Sequence, residues 1–352
     1  MVSNAAVACP VSDGVSCDGR SHAAGTASGP KLTPRLVFGP LRYLLAFALT
    51  CGGGWLLLHR VNFSVVGHTV VHASPPLLIP IVALCLLRYW LRAVRWRVLV
   101  RHIRLVSVAH SFDRVILSQA AERILPFQLG YLVTVQVTSV KFQIWRFQLF
   151  GTDLMESMMD GLIFALFLAL AVSTLSVGRA FTGLTALMLA GTTGGFALTW
   201  WATRKPGGRI VPLHWPLARF LQRFLQGLHT IQDVRRLLSV FGLTAVIWGT
   251  EAILYWVAGL ALGLHVNPLV YVFLVSASNI GGSVPFIQSA VGFVFVAQQA
   301  LMAVGQSLGF ATAYALSIEA ALILPILICG PAAAYQLRLR FRDLVPQDVL
   351  SS

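Results

Sequence analysis

Charged residues are scarce in this chain, and acidic residues are the scarcest of them. Of 352 residues, 11% are charged and only 12 are Asp or Glu, whereas 57% are hydrophobic. The mean hydropathy is +0.78, and a soluble domain normally carries about 25% charged residues. The composition therefore excludes an ordinary soluble domain and predicts an integral membrane protein.

The sequence also lacks the motifs of common catalytic and nucleotide-binding sites. It contains no Gly-rich phosphate loop, no HExxH and no GxSxG. The five cysteines include no CxxC pair, so they indicate neither a zinc site nor a disulfide framework. We expect a protein that is not an enzyme and that uses no cofactor and no metal.

The net charge of +14 does not indicate a nucleic-acid partner. A basic nucleic-acid-binding domain displays its charge on a polar surface. Here the basic residues occupy short blocks between apolar segments, as in the cytoplasmic loops of membrane proteins. We expect no nucleic-acid binding.

Apolar runs of the length that a bilayer requires, roughly 20 residues, recur along the chain. They lie at 41–58, 75–91, 157–177, 182–202, 237–263 and 311–335. Two further apolar stretches, 112–140 and 268–305, are interrupted by Pro and Gly. We predict an all-α, polytopic transmembrane bundle of about six to eight membrane segments, including one or two re-entrant broken helices.

Three regions are predicted from this pattern. Residues 1–35 are rich in small and polar residues and form a disordered cytoplasmic tail, because they offer too little apolar surface to fold. Residues 36–343 form the transmembrane domain. Residues 344–352 form a short C-terminal tail.

The basic residues also predict the orientation of the chain. The segment 88–104 carries six Arg and the segment 203–236 carries seven Lys or Arg, whereas the connections on the opposite side carry only Arg60 and Arg179. Cytoplasmic loops are enriched in Lys and Arg. We therefore expect a protein of the bacterial inner membrane with both termini in the cytoplasm.

Within the Arg-rich segment, Arg92, Arg95 and Trp96 are candidates for anchoring the protein to lipid headgroups. Long cationic side chains reach the headgroup layer from a helix end, and aromatic residues are common there. The alternative is that a minority of these arginines contacts a lipid phosphate directly.

The two interrupted stretches resemble each other. "LPFQLG" at 125–130 and "VPFIQSAVG" at 284–292 each place Pro-Phe ahead of a Gln and a Gly. Paired interruptions in the two halves of a transporter indicate a site near the midplane, although the repeat can also arise by chance. The substrate-path candidates here are Glu122, Arg123, Pro126, Gly130, Pro285 and Gly292.

Four carboxylates complete the set of candidates for the lipid path. Glu156 and Asp160 are four residues apart and share one face of a helix, while Glu251 and Glu319 lie deep in apolar segments. Ionisable groups inside a membrane are costly, so they are functional hypotheses by default. The alternatives are a solvated helix end for the first two and neutral, hydrogen-bonded carboxyls for the last two.

The motifs "LRAVRWRVLV", "ILPFQLGYLV", "ESMMD", "IGGSVPFIQSAVG" and "AYALSIEAALILP" follow one another in a familiar order. In this order they resemble the flippase-like membrane domain of the lysylphosphatidylglycerol synthase family. The resemblance covers about residues 36–343 and is to a stand-alone, divergent member without the soluble synthase domain. Tyr131, Thr134 and Phe295 stand where the family pattern has charged residues, which leaves the substrate open.

The resemblance implies a protein that binds an amphiphilic lipid and moves it between leaflets. Its expected partners are membrane lipids and a possible lipid-biosynthesis enzyme. Two alternatives stay open: a non-catalytic membrane scaffold or accessory subunit for a lipid-modifying enzyme, and a polytopic transferase that acts on lipid carriers.

The orientation is testable with reporter fusions. A compartment-sensitive reporter fused after Ser352 should report the cytoplasm, and the same reporter fused after Phe181 should report the opposite side, because the positive charge is concentrated in the connections on one side of the membrane. The same signal from both fusions would contradict the predicted topology.

Overall fold

The computed structural model describes residues 75–125, 129–175, 179–204, 223–228, 232–283 and 289–338. In these ranges the long elements are all helices and there is no strand, which confirms the predicted all-α fold. The predicted segment 41–58 and both predicted tails lie outside the described residues. In chain order the helices are α1 (Leu78–Val100), α2 (Val108–Ile124), α3 (Leu129–Phe142), α4 (Arg146–Thr174), α5 (Arg179–Arg204), α6 (Val234–Ala261), α7 (Pro268–Gly282), α8 (Ser289–Ala303) and α9 (Leu308–Gln336).

Four of these helices, α4, α5, α6 and α9, are long and apolar enough to cross a membrane. They contain most of the residues of the four predicted segments between 157 and 335. Helix α5 packs mainly against α4 and exposes most of its surface, whereas the other three bury about two-fifths of their apolar windows. The protein is therefore built as a helical membrane bundle.

Side-chain caps mark where several helices begin. Ser107 accepts a hydrogen bond from the backbone N–H of His110 at 3.2 Å, and Asn267 accepts one from Leu269 at 2.9 Å ahead of a proline at the first helical position. Ser307 caps α9 through the N–H of Phe310. These caps satisfy N–H groups that a helix start leaves without partners, so short polar residues between the apolar runs set the helix boundaries.

Both interrupted stretches form pairs of short helices that pack on each other. Helix α2 ends at Ile124 and α3 begins at Leu129, and α7 and α8 are likewise separate. The segment 112–140 is thus not one continuous helix, as expected. Pro126 and Pro285 themselves lie outside the described residues.

Glycines permit the close packing within these two hairpins. A Cβ atom added at Gly130 would overlap the backbone of Ala121, and one added at Gly292 would overlap the carbonyl of Gly281. Small residues allow membrane helices to approach each other at backbone distance. Gly130 and Gly292 are therefore packing residues in the structure.

Helix α9 contains a proline whose lost hydrogen bonds are replaced by side chains of α1. Pro325 has no N–H to offer the carbonyl of Ala321, and its ring crowds the preceding turn. The thiol of Cys85 donates to that carbonyl at 3.4 Å, and the hydroxyl of Tyr89 donates to the carbonyl of Leu322 at 2.8 Å. Helix α1 is thereby fixed against α9 and also packs on α2, α4 and α6.

The close hairpin packing predicts unequal effects of two Gly-to-Ala substitutions. Gly130→Ala should destabilise the protein by about 1–3 kcal/mol because the new methyl group meets backbone that no side-chain rotation can move. Thermal unfolding of the purified protein in detergent measures the change.

Gly191→Ala is the matched control, because a Cβ atom there meets nothing within 4 Å. A helical Gly-to-Ala change without a clash stabilises by about 0.5–1 kcal/mol. Equal melting temperatures for the two variants would contradict the close approach of α2 and α3.

Candidate functional site

A cavity of about 820 Å³ lies among the helices, and each of α1 to α9 contributes at least one residue to its lining. Its walls are strongly charged for a protein that is 11% charged overall. The charged residues that line it are Arg88, Arg92, Arg114, Arg123, Glu122, Asp153, Glu156, Asp160 and Glu319.

Arg95 joins α1 to α4 through two of the cavity carboxylates. Its guanidinium group donates to Glu156 and to both carboxylate oxygens of Asp160, at 2.5 and 3.1 Å. Thr244 of α6 accepts a further hydrogen bond from Arg95 at 3.1 Å, and the indole N–H of Trp248 donates to Asp160 at 2.7 Å. The spacing of Glu156 and Asp160 on one helix face lets a single arginine hold both.

Arg88, about two helical turns before Arg95, joins α1 to α6. Its Nε donates to Oε2 of Glu251 at 2.5 Å, and both side chains are almost completely buried. The other oxygen of Glu251 accepts from the side-chain amide of Asn279 at 2.8 Å and from the hydroxyl of Tyr255 at 3.3 Å. Both carboxylate oxygens of Glu251 thus accept hydrogen bonds, and the residue lies behind the cavity wall.

Two further ion pairs involve helix α2. Arg123 donates to the carboxylate of Glu319 on α9 at 3.0 and 3.4 Å. Arg114 donates to Asp153 on α4 at 2.9 Å and also lies over the ring of Trp96, 4.8 Å from its centroid. A buried charge that lost its partner would destabilise the fold by several kcal/mol, roughly 3–5 in soluble proteins. The ion pairs avoid this loss of stability for the charged residues of the cavity wall.

Two lining residues, Glu122 and Arg92, take no part in these ion pairs. Glu122 accepts hydrogen bonds from Ser118 at 2.8 Å and Gln119 at 3.0 Å. Arg92 lies over the ring of Trp248, 4.9 Å from its centroid, and its Nε is buried without a hydrogen-bond partner. Among the described residues, no oppositely charged side chain lies within ion-pair distance of either one.

The structure places the sequence candidates in three groups. Glu122, Arg123, Glu156, Asp160 and Glu319 line the cavity, and Glu251 is bonded to the lining residue Arg88. Gly130 and Gly292 are not among the lining residues; they pack the hairpins. Pro126 and Pro285 lie outside the described residues.

The expected headgroup-anchoring role is wrong for Arg95 and Trp96. Both side chains are 0% exposed, so neither can reach a headgroup layer outside the bundle. Helix α1 continues to Val100 and carries these residues into the protein interior, where Arg95 meets carboxylates and Trp96 lies under Arg114. Arg92 lines the cavity.

Sequence reasoning missed Arg88, Arg114, Asp153, Asn279 and Trp248 as members of the site. The sequence did contain a signal for Arg88. Arg88, Arg92 and Arg95 are spaced by four and three residues, which puts them on one helix face. Asp153 and Asn279 gave no comparable signal, because single polar residues near helix ends are common.

The arrangement is suited to holding a polar group by charge and hydrogen bonding. Within the described ranges, no group of three His, Cys, Asp or Glu side chains is placed to hold a metal ion. The wall presents guanidinium, carboxylate, amide and indole groups to one space of about 820 Å³.

Comparison with known proteins gives one finding. The sequence profile of a family described as "Lysylphosphatidylglycerol synthase TM region" matches residues 43–330. Neither the characterised proteins nor the solved structures gave a significant match.

The Arg95 bridge predicts a rescue experiment. Arg95→Met leaves Glu156 and Asp160 without their cation, so the free energy of unfolding should fall by about 3–5 kcal/mol. The triple variant with Glu156→Gln and Asp160→Asn removes the stranded charges and should recover most of the loss. Thermal unfolding in detergent measures both, with Arg101→Met, an exposed arginine at the end of α1, as the control. A triple variant as unstable as Arg95→Met would contradict the ion-pair account.

Proposed function

Because this integral membrane protein belongs to the lysylphosphatidylglycerol synthase transmembrane-region family, we propose that it binds an amphiphilic lipid and moves it between leaflets. The headgroup occupies the charged cavity during this movement, while the acyl chains stay in the surrounding lipid.

The observation that carries this proposal is the cavity itself. Its volume of about 820 Å³ falls within the roughly 300–1,000 Å³ typical of small-molecule sites. A polar headgroup must exchange its hydration shell for protein groups when it leaves the membrane surface, and the wall offers both charge signs and hydrogen-bond donors. Charged side chains that face a cavity inside a membrane bundle typically mark a substrate or ion pathway.

The energy for this movement comes from the lipid gradient or from an ion or proton gradient that acts through the carboxylates. Glu122 is the strongest candidate for such coupling, because it accepts hydrogen bonds from Ser118 and Gln119 but forms no ion pair with a residue that the structure describes. A change of its charge would therefore not strand a protein cation.

We place the protein in the bacterial inner membrane with both termini in the cytoplasm, following the distribution of basic residues. Membrane lipids are its partners, a lipid-biosynthesis enzyme is a possible one, and we propose no catalysis. The uncharged Tyr131, Thr134 and Phe295, which stand where the family pattern has charged residues, favour the scaffold alternative. The nine charged residues of the cavity wall weigh against that reason.

Reconstitution tests the proposal directly. Proteoliposomes that carry a fluorescent lipid in both leaflets are treated with an impermeant quencher, with and without a transmembrane pH difference. In at least one condition, the fluorescence of inner-leaflet lipid should be quenched faster in liposomes that contain the wild-type protein than in protein-free liposomes. Equal rates in both conditions would contradict lipid movement.

Two tryptophan substitutions on α4 test whether the lipid headgroup passes through the cavity. Ser157 lines the cavity, so Ser157→Trp should slow exchange towards the protein-free rate by occupying the headgroup space. Leu166 is 44% exposed on the outer surface, so Leu166→Trp should leave exchange unchanged. Equal rates for the two variants would exclude the cavity as the path.

A further inference from the structure

We propose that the α1–α2 and α3–α4 connections form a surface that binds the anionic headgroup layer of the membrane. This surface, the basic corner, consists of three arginines and three large apolar side chains: Arg101, Arg104, Arg146, Leu105, Trp145 and Phe147. All six are exposed, and none of them lines the cavity. The binding therefore does not depend on the proposed movement of lipid through the cavity. It supplies the anchoring role that Arg95 and Trp96 do not fill.

A small apolar core holds the two connections of the basic corner side by side. Val106 of one connection and Ile144 of the other are buried in the same cluster. Their chain neighbours Leu105 and Trp145 are 78% and 57% exposed. Each connection thus turns one apolar residue inwards and the adjacent one outwards, so the exposed apolar side chains stand on a packed support.

Two polar contacts fix the basic corner further. Gln143 has a φ of 53°, a left-handed conformation that is uncommon for residues other than glycine, and its side chain accepts a hydrogen bond from Arg104 at 3.2 Å. This bond joins the two connections directly. Arg223 lies over the ring of Trp145, 3.3 Å from its centroid, and restrains the indole by cation–π contact.

The positive charge of the basic corner has no acidic side chain within its own segments. Residues 97–112 and 139–152 contain no Asp or Glu, and the acidic residues that follow them, Asp113 and Asp153, are buried. Exposed cations beside exposed aromatic and aliphatic side chains match the headgroup layer, where anionic phosphates adjoin apolar chains. A soluble acidic partner would match the charge but not the apolar side chains.

The length of α1 places the basic corner at a membrane surface. The helix has 23 residues and is therefore about 34 Å long, close to the roughly 30 Å of a bilayer's hydrocarbon core. Arg101 and Arg104 follow directly after its last residue, Val100. In the proposed orientation this surface is the cytoplasmic one, where anionic lipids attract basic segments next to the membrane.

Lipid-selective fluorescence quenching in liposomes tests the assignment. A fluorophore is attached to Ala109→Cys, an exposed position beside the basic corner, in the full-length chain whose five native cysteines are replaced by Ala. The probes are phosphatidylglycerol and phosphatidylcholine, each spin-labelled near the headgroup and added in equal amounts to phosphatidylcholine liposomes. The relative association of phosphatidylglycerol should be about fivefold or more above that of phosphatidylcholine, as for a basic residue at an anionic surface. At about 1 M salt, where the Debye length is about 3 Å, the ratio should fall towards 1.

Substitution of the arginines identifies the source of this preference. The triple variant Arg101→Gln, Arg104→Gln and Arg146→Gln should bring the ratio to about 1 at low salt, because it removes the charge and keeps the apolar side chains. Arg235→Gln, an exposed arginine at the start of α6, is the control and should leave the ratio unchanged.

Three results would overturn the inference. They are equal quenching by the two lipids in the parent chain, an unchanged ratio in the triple variant, and no quenching by either lipid. The last result would place the basic corner in water and would favour a soluble acidic partner. Lipid exchange in proteoliposomes is measured separately, so its absence beside a clear phosphatidylglycerol preference would contradict the proposed function and leave the basic corner intact.

Discussion

A guanidinium group inside a membrane bundle needs a counter-charge or a water-filled cavity, and helix α1 carries three such groups, Arg88, Arg92 and Arg95, within two turns. Arg88 and Arg95 meet carboxylates from α6 and α4, and these ion pairs connect the centre of the bundle. The cost of burying ions makes each pair depend on its geometry. The cavity lies between the helices that these ion pairs connect. Arg92 lines it, and among the described residues no carboxylate lies within ion-pair distance of Arg92.

The two broken segments add the second element of the architecture. Each forms a hairpin of short helices in contact at a glycine, Gly130 in one and Gly292 in the other. The hairpins bring Glu122, Arg123 and Asn279 to the cavity from helices of 17 and 15 residues. The glycines thus contribute to the site by allowing close packing, and the polar residues next to the breaks form its wall.

The composition and the apolar runs of the sequence predicted where helices form. They did not predict which helices contact each other. Four of the six predicted apolar runs correspond to the long helices α4, α5, α6 and α9, and the Pro-Gly interruptions predicted the hairpins, because both are local properties of the chain. The partners of Glu156 and Glu251 are about 60 and 160 residues away, and nothing in one sequence specifies such contacts. Arg95 and Trp96 were misplaced for the same reason, since an Arg-Trp pair at the end of an apolar run has the same local pattern in a headgroup anchor and in an internal ion pair.

The central claim is that the charged cavity is an aqueous space inside the membrane domain, and thiol accessibility tests it most directly. A single cysteine is placed at Ser157, in the cavity wall, or at Leu166, on the outer face of the same helix, in a chain whose five native cysteines are replaced by Ala. Thiol reagents act on the thiolate, which requires water. In liposomes, a small hydrophilic reagent should modify Ser157→Cys and not Leu166→Cys. An unreactive Ser157→Cys beside a folded protein would contradict the account.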